Sequence, residues 1–238
     1  MKGVSLKAIK RSYSYPISSL ILIVFFATTL SSCSSGGDDA IPPIRINEIP
    51  QDIKNLINFS GDEKAPTVLI IEQGGPAPVL DEFVAEGLAQ AINDPDILVV
   101  NAHQAQTLNP NILLGDDISL EQSINFNSES AETLARVINY FKSEGRTVYV
   151  AGFSFGAFIT QELIAKKGIA VADKYLIVTG RLDMNDIFWQ GLAEGRGGFF
   201  ENGSTPVLNP ELFPTSAERN EARLFAGLIL NRYTQRFS

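Results

Sequence analysis

The sequence predicts an α/β domain in which a mostly parallel sheet carries helices on both faces. Three observations lead there. Short runs of branched and apolar side chains at 67–71, 97–100, 147–151 and 175–178 are continuous rather than alternating, as in strands buried on both faces. Segments with apolar residues at helical spacing lie between them. Strand and helix alternate regularly, the pattern of parallel strands joined by helical crossovers.

Taken in order, Ala65-Pro66 opens the first run, Thr67-Val68-Leu69-Ile70-Ile71, which stops at Gln73-Gly74-Gly75-Pro76. Asp81 to Ile92 follows as a helix, with Phe83, Val84, Leu88 and Ala91 at helical spacing and Asp94-Pro95 as its breaker. Ile97 to Val100 is the second strand and ends at Asn101-Ala102-His103. Residues 104–126, with Asn109-Pro110 and Gly115-Asp116-Asp117, read as loop. Ser130 reads as the cap of a helix running to about Phe141, with Leu134, Val137, Ile138 and Phe141 on one face and Gly145 at its end. Thr147 to Ala151 is the third strand, residues 157–166 a helix closed by Gly168, and Tyr175 to Val178 the fourth strand. After Asp183 the pattern changes. Residues 187–196 read as a helix, 197–214 as irregular and 216–233 as an amphipathic helix, with no further buried strand.

The chain has 238 residues, 45% of them apolar and 19% charged, which suits one globular domain with a core. Its formal net charge of -8 argues against nucleic acid as a partner, because such binding relies on basic patches.

The first residues form an address rather than part of the fold. Lys2, Lys7, Lys10 and Arg11 precede an apolar run from Ile17 to Leu30, which ends in Leu30-Ser31-Ser32-Cys33. Basic start, apolar centre and small residues at the end make a secretory signal over residues 1–32. The run is shorter than the ~20 residues of a spanning helix. Leu-Ser-Ser-Cys resembles the lipobox of bacterial lipoproteins, and Cys33 is the single cysteine of the chain. The resemblance implies cleavage before Cys33, acylation of its sulfur with palmitate-type chains, and anchoring to the outer membrane of the cell envelope, exposed at the surface. Each buried methylene of such a chain contributes about 0.8 kcal/mol of attachment. Residues 33–60, with Ser34-Ser35-Gly36-Gly37-Asp38-Asp39 and three prolines, read as a flexible linker to a domain spanning 61–238.

The residues that carry chemistry begin at Gly152-Phe153-Ser154-Phe155-Gly156, a G-x-S-x-G pattern placed directly after a buried strand and before a helix. A serine there sits on a sharp turn with its hydroxyl above the strand ends. With this motif in that context, the chain resembles the α/β-hydrolase superfamily over roughly residues 66–183. The resemblance implies that Ser154 is a nucleophile forming an acyl-serine during ester or amide cleavage. It also implies an oxyanion hole from the backbone N–H groups of Phe155 and of Gly74 or Gly75. Many relatives have His-Gly-Gly-Pro at that loop, where this chain has Gln73 in the histidine's place. Asp183, after the next strand, takes the place of the acid that orients a histidine. Insertions after that strand form a cap in the family, and residues 184–238 read as such a helical region. Its Phe188, Trp189, Phe199 and Phe200 suit either acyl or aryl substrates or plain core packing.

The chain departs from the family in one essential respect. The superfamily places its histidine after the serine and the acid, whereas the single histidine here, His103, precedes Ser154. The strand that ends at His103 is separated from the serine strand by the first strand, so His103 is a weak candidate for the base. The closing strands that would carry the histidine loop are not evident, as in a shortened hydrolase. Three classes stay open at this point: a serine hydrolase acting on a small-molecule or acyl substrate, a non-catalytic surface lipoprotein binding ligands in the same crevice, and a structural envelope lipoprotein with no pocket. None requires a cofactor. Glu72, Asp116 and Asp117 lack metal-ligand spacing and read as solvated loop charges.

Overall fold

The continuous apolar runs become the strands of a single five-stranded sheet in the computed structural model, which describes residues 47–180 and 185–236. In chain order they are β1 (Ile57–Ser60), β2 (Thr67–Glu72), β3 (Ile97–Ala102), β4 (Thr147–Phe153) and β5 (Lys174–Val178). In space the order is β1-β3-β2-β4-β5. The last four strands of that order are parallel, and β1 pairs antiparallel with β3. The sheet is therefore mostly parallel within an α/β domain. Val68, Ile70, Leu98, Val99, Val100 and Val148 are fully buried, which is why the central strands show no polar alternation.

Helices cover both faces. On one lies α2 (Glu82–Ile92), packing Ala85, Val84 and Leu88 on Ile71, Val99 and Ala151. Asp81 caps it, its carboxylate accepting from the Phe83 N–H at 3.1 Å, and Asn93 ends it in the left-handed region at φ 49°. The other face carries α5 (Leu120–Ser143), α6 (Phe155–Lys167) and α8 (Ser216–Arg236), whose Leu134, Ile138, Ile159, Leu163, Leu224 and Leu228 complete the main core.

Four expectations change. Residues 104–126 are not a loop: they hold α3 (Ala105–Leu108), α4 (Asn111–Leu114) and the first turns of α5. Ser119, not Ser130, caps α5. Its hydroxyl accepts from the Gln122 N–H at 3.1 Å, and the Gln122 side-chain oxygen accepts from the Ser119 N–H at 2.7 Å. Ser130 is instead buried within the helix, accepting from the Ala105 N–H at 2.9 Å and donating to the Phe126 carbonyl at 3.0 Å. The first half of α5 escapes an apolar-stripe reading because it docks through polar groups. Asn127 donates to the Leu224 carbonyl of α8 at 2.8 Å, and a Cβ at Gly227 would lie 2.6 Å from the Ser123 hydroxyl.

The third change concerns the linker. Its last residues form α1 (Gln51–Lys54) and β1. Ile49, Ile53 and Ile57, spaced by four, are 3–4% exposed and close one end of the core. The fourth concerns residues 197–214, which contain a hairpin of β6 (Gly198–Glu201) and β7 (Thr205–Leu208) turning through Asn202 and Gly203, both at positive φ. The region beyond Asp183 is thus α7 (Asp186–Glu194), this hairpin and α8, not helices alone. Among the described residues β5 is an edge strand, with Leu176 and Ile177 partly in solvent.

Candidate active site

At the carboxyl end of β4 the chain turns into α6 through one residue. Ser154 has φ 49° and ψ −113°, a left-handed conformation that costs a serine on the order of 1–3 kcal/mol. Its surroundings hold it there. The Ser154 N–H donates to the Val178 carbonyl at 2.9 Å and reaches the Thr179 hydroxyl at 3.1 Å, both at the end of β5. The Ser154 carbonyl accepts from the Ala157 N–H at 3.0 Å, the first bond of α6.

The two flanking glycines are required by the close approach of α6 to the sheet. A Cβ on Gly152 would lie 2.5 Å from the Thr160 hydroxyl and 2.7 Å from the Ala157 Cα. One on Gly156 would overlap the carbonyl of Glu72 and stand 2.6 Å from that of Gln73. Glycine at both places lets the helix start directly above β4 and the end of β2. Phe155, the residue after the serine, buries its ring completely, edge-on to Phe225 at 5.1 Å. As the first residue of α6 its N–H has no acceptor within the helix.

The loop after β2 lies against this turn. A Cβ on Gly74 would sit 3.2 Å from the Ser154 Cβ, and Gly75 takes φ 69°. Neither glycine donates a backbone hydrogen bond to another described residue. Gln73 points inward and locks the loop. It donates to the Val79 carbonyl at 3.0 Å, while its side-chain oxygen accepts from the Asp81 N–H at 2.9 Å and from Asn101 at 3.4 Å. The structure therefore brings Ser154, Phe155, Gly74 and Gly75 together at the carboxyl edge of the parallel strands. A hydroxyl beside several uncommitted N–H groups is an arrangement that can hold developing negative charge on an acyl oxygen.

Behind the serine lies a residue whose role sequence reasoning misread. Glu72 is not a solvated loop charge: it is fully buried at the end of β2, beside Gly152. Gln104 donates to one of its oxygens at 3.0 Å and to the Gln73 carbonyl at 3.1 Å, and Gln106 donates to Gln104 at 2.5 Å. The other Glu72 oxygen has no partner among the described residues. Loss of hydration pushes the Glu72 carboxyl up to about 8, against the opposing pull of the Gln104 hydrogen bond. Near neutral pH it is mainly a protonated acid. The sequence signal was position: Glu72 ends a run whose neighbours all face the interior.

His103 is held elsewhere. Its backbone N–H donates to the Leu56 carbonyl at 2.8 Å, and its ring Nδ1 lies 3.0 Å from the Thr107 hydroxyl. Strand β2 stands between its strand and the serine's, and it forms no hydrogen bond with Ser154. Partial burial lowers its proton affinity. Asp183 and Cys33 lie outside the described residues. Asp116 is exposed, and Asp117 is bound by Arg219 and Arg223, which hold its carboxyl well below the usual range. Among the described residues no group of three or more acidic, histidine or cysteine side chains is placed to hold a metal.

Phe188, Trp189 and Phe200 line a cavity of about 820 Å³ between α6, α7, the hairpin and α8. Phe199 lies outside it, and Ser154 is not among its lining residues. No family model matches the chain, and comparison with curated proteins and with solved structures yields no match either.

Proposed function

We propose that this chain is a serine hydrolase of α/β-hydrolase type, cleaving ester or amide bonds through an acyl-serine. The observation that carries the reading is the strained Ser154, with φ 49° and ψ −113°, standing between two sterically obligatory glycines and against the Gly74-Gly75 loop. Strain at a polar residue needs a surrounding that enforces it, and such residues cluster at reactive sites. The strand order β3-β2-β4 gives further support, because it sets the glycine loop and the serine turn side by side.

In this reading the Ser154 Oγ adds to an acyl carbon while its proton passes to a base. The oxyanion takes the N–H groups of Phe155 and of Gly75 or Gly74. The alcohol or amine leaves with a proton, and water then releases the acid from the serine. Asp183 is the proposed acid. The test is a fluorophosphonate probe on the folded protein. Covalent labelling of the wild type that disappears in Ser154→Ala is expected; no labelling of a folded sample would overturn the hydrolase reading.

A second reading has its own support. No histidine follows Ser154, and His103 is bonded to Thr107. A serine without a base is a weak nucleophile, and the same crevice then serves binding alone. Saturable ligand binding unchanged in Ser154→Ala, with no labelling, is its signature.

We further propose that the protein is a cell-envelope lipoprotein held by acyl chains on Cys33. Metabolic labelling with an alkyne palmitate is expected to mark the wild type in a bacterial host, and Cys33→Ala is expected to lose the mark and leave the membrane fraction.

A further inference from the structure

The cavity between α6, α7, the hairpin and α8 combines two features, aromatic walls and a pair of carboxylates. Its walls are aromatic. Phe188 and Phe200 meet edge to face at 5.0 Å, Phe158 meets Trp189 at 6.3 Å and Phe225 at 6.2 Å, and Phe213 closes the loop side. All six of these rings line the space, and the face of an aromatic ring carries partial negative charge. Where α8 borders the cavity stand two solvent-exposed carboxylates one helical turn apart, Glu218 and Glu221.

Among the described residues that line the cavity there is no lysine or arginine. Arg219 and Arg223, on the same helix, are bound by Asp117 at 2.8 and 3.1 Å, although Arg219 feels the Glu218 charge. Arg196 is bound by Glu194. Glu218 also accepts from the Thr215 N–H and hydroxyl at the start of α8. Glu221 forms no ion pair with a described residue. Glu221 is exposed to solvent, yet partial desolvation of its carboxyl and then Glu218 raise its proton affinity. An added cation would relieve both.

We propose that this cavity binds an organic ammonium ion with an apolar body: an aryl- or alkyl-substituted amine or quaternary ammonium. Aromatic faces attract such a cation without the dehydration that a small metal ion requires. The carboxylates give the site its sign, and the cavity of about 820 Å³ admits a body of drug-like size. A neutral hydrocarbon would use the rings and waste the carboxylates, and an anion would be repelled. The proposal is independent of any chemistry at Ser154, because no lining residue belongs to the serine turn.

The experiment compares three probes sharing one aryl body: benzyltrimethylammonium, its uncharged carbon isostere neopentylbenzene, and benzylsulfonate. Binding to the wild-type chain is followed by calorimetry and by the emission of Trp189, the one tryptophan of the sequence and a lining residue. The expected result is a cation affinity at least tenfold above that of either other probe, with a change in Trp189 emission. Glu221→Gln is expected to lower the cation's affinity about tenfold and leave that of neopentylbenzene unchanged. Equal or tighter binding of the neutral or anionic probe, no binding of the cation, or indifference of the cation to Glu221→Gln in a folded variant would overturn the proposal. Each of these outcomes leaves fluorophosphonate labelling of Ser154 as it was.

Discussion

Gly156 stands so close to Glu72 that a Cβ built on the glycine would enter the Glu72 carbonyl group. The start of α6 and the end of β2 are thus in direct backbone contact, and the position of the serine turn is set by that contact.

Gly156→Ala is therefore expected to be severely destabilising. The obstacle is backbone of a central strand and cannot rotate away, so overpacking costs at the upper end of the usual range apply, about 3 kcal/mol or more. Chemical denaturation should show a lowered midpoint. Gly87→Ala, where a Cβ meets open space on α2, is the control and should not lower stability. A stable Gly156→Ala with unchanged midpoint would show that α6 does not approach the sheet as described.

Ser154→Gly is expected to raise stability while abolishing labelling. Glycine takes φ 49° and ψ −113° without the strain a serine bears there. The relief of roughly 1–3 kcal/mol is partly offset by the roughly 0.5–1 kcal/mol that the freer unfolded chain costs. A gain of about 1 kcal/mol should appear as a Tm increase of a few degrees. A fall in Tm would mean that the serine side chain itself stabilises the fold.

Glu72 makes stability depend on pH in a definite direction. Its folded proton affinity is raised to about 8 from an ordinary 4.5, so the folded state holds the proton more tightly than the unfolded chain. Its contribution is complete below pH 4.5 and declines as pH rises through 8. Thermal melts of the wild type compared with Glu72→Gln isolate this term, because the amide keeps a neutral group of the same shape. The difference in Tm should move in favour of the variant between pH 5 and pH 9. Parallel curves across that range would place the Glu72 carboxyl in contact with water.

The centre of the sheet was readable because β2, β3 and β4 are largely buried, and burial leaves a compositional trace. Val68-Leu69-Ile70-Ile71 and Leu98-Val99-Val100 leave no other assignment once the helices between them are seen. The serine turn was readable because two glycines and a serine at fixed spacing are what that geometry demands. What stayed hidden had polar or local causes. The start of α5 is announced by Ser119-Leu120-Glu121-Gln122, yet its first turns bind α8 through Asn127 and Ser123 and carry no apolar stripe. Asn202-Gly203 is a hairpin signal, but β6 is exposed and β7 half-exposed, so neither shows a buried face. β1 is short and lies after prolines, and Ile49, Ile53 and Ile57 reveal their purpose through distant partners. Gln73 looked like a lost histidine. Its amide instead closes the loop from inside, a task that needs both a donor and an acceptor.

The double membership of α8 ties one wall of the aromatic cavity to the main core. Ala222 and Phe225 line that space, while Leu224 and Leu228 on the same helix are at most 1% exposed in the main core. Swinging α8 outward would strip leucines from the centre of the domain. The hairpin that carries Phe200 contributes no side chain to that core, so the two walls of the space differ in how firmly they are tied to the domain.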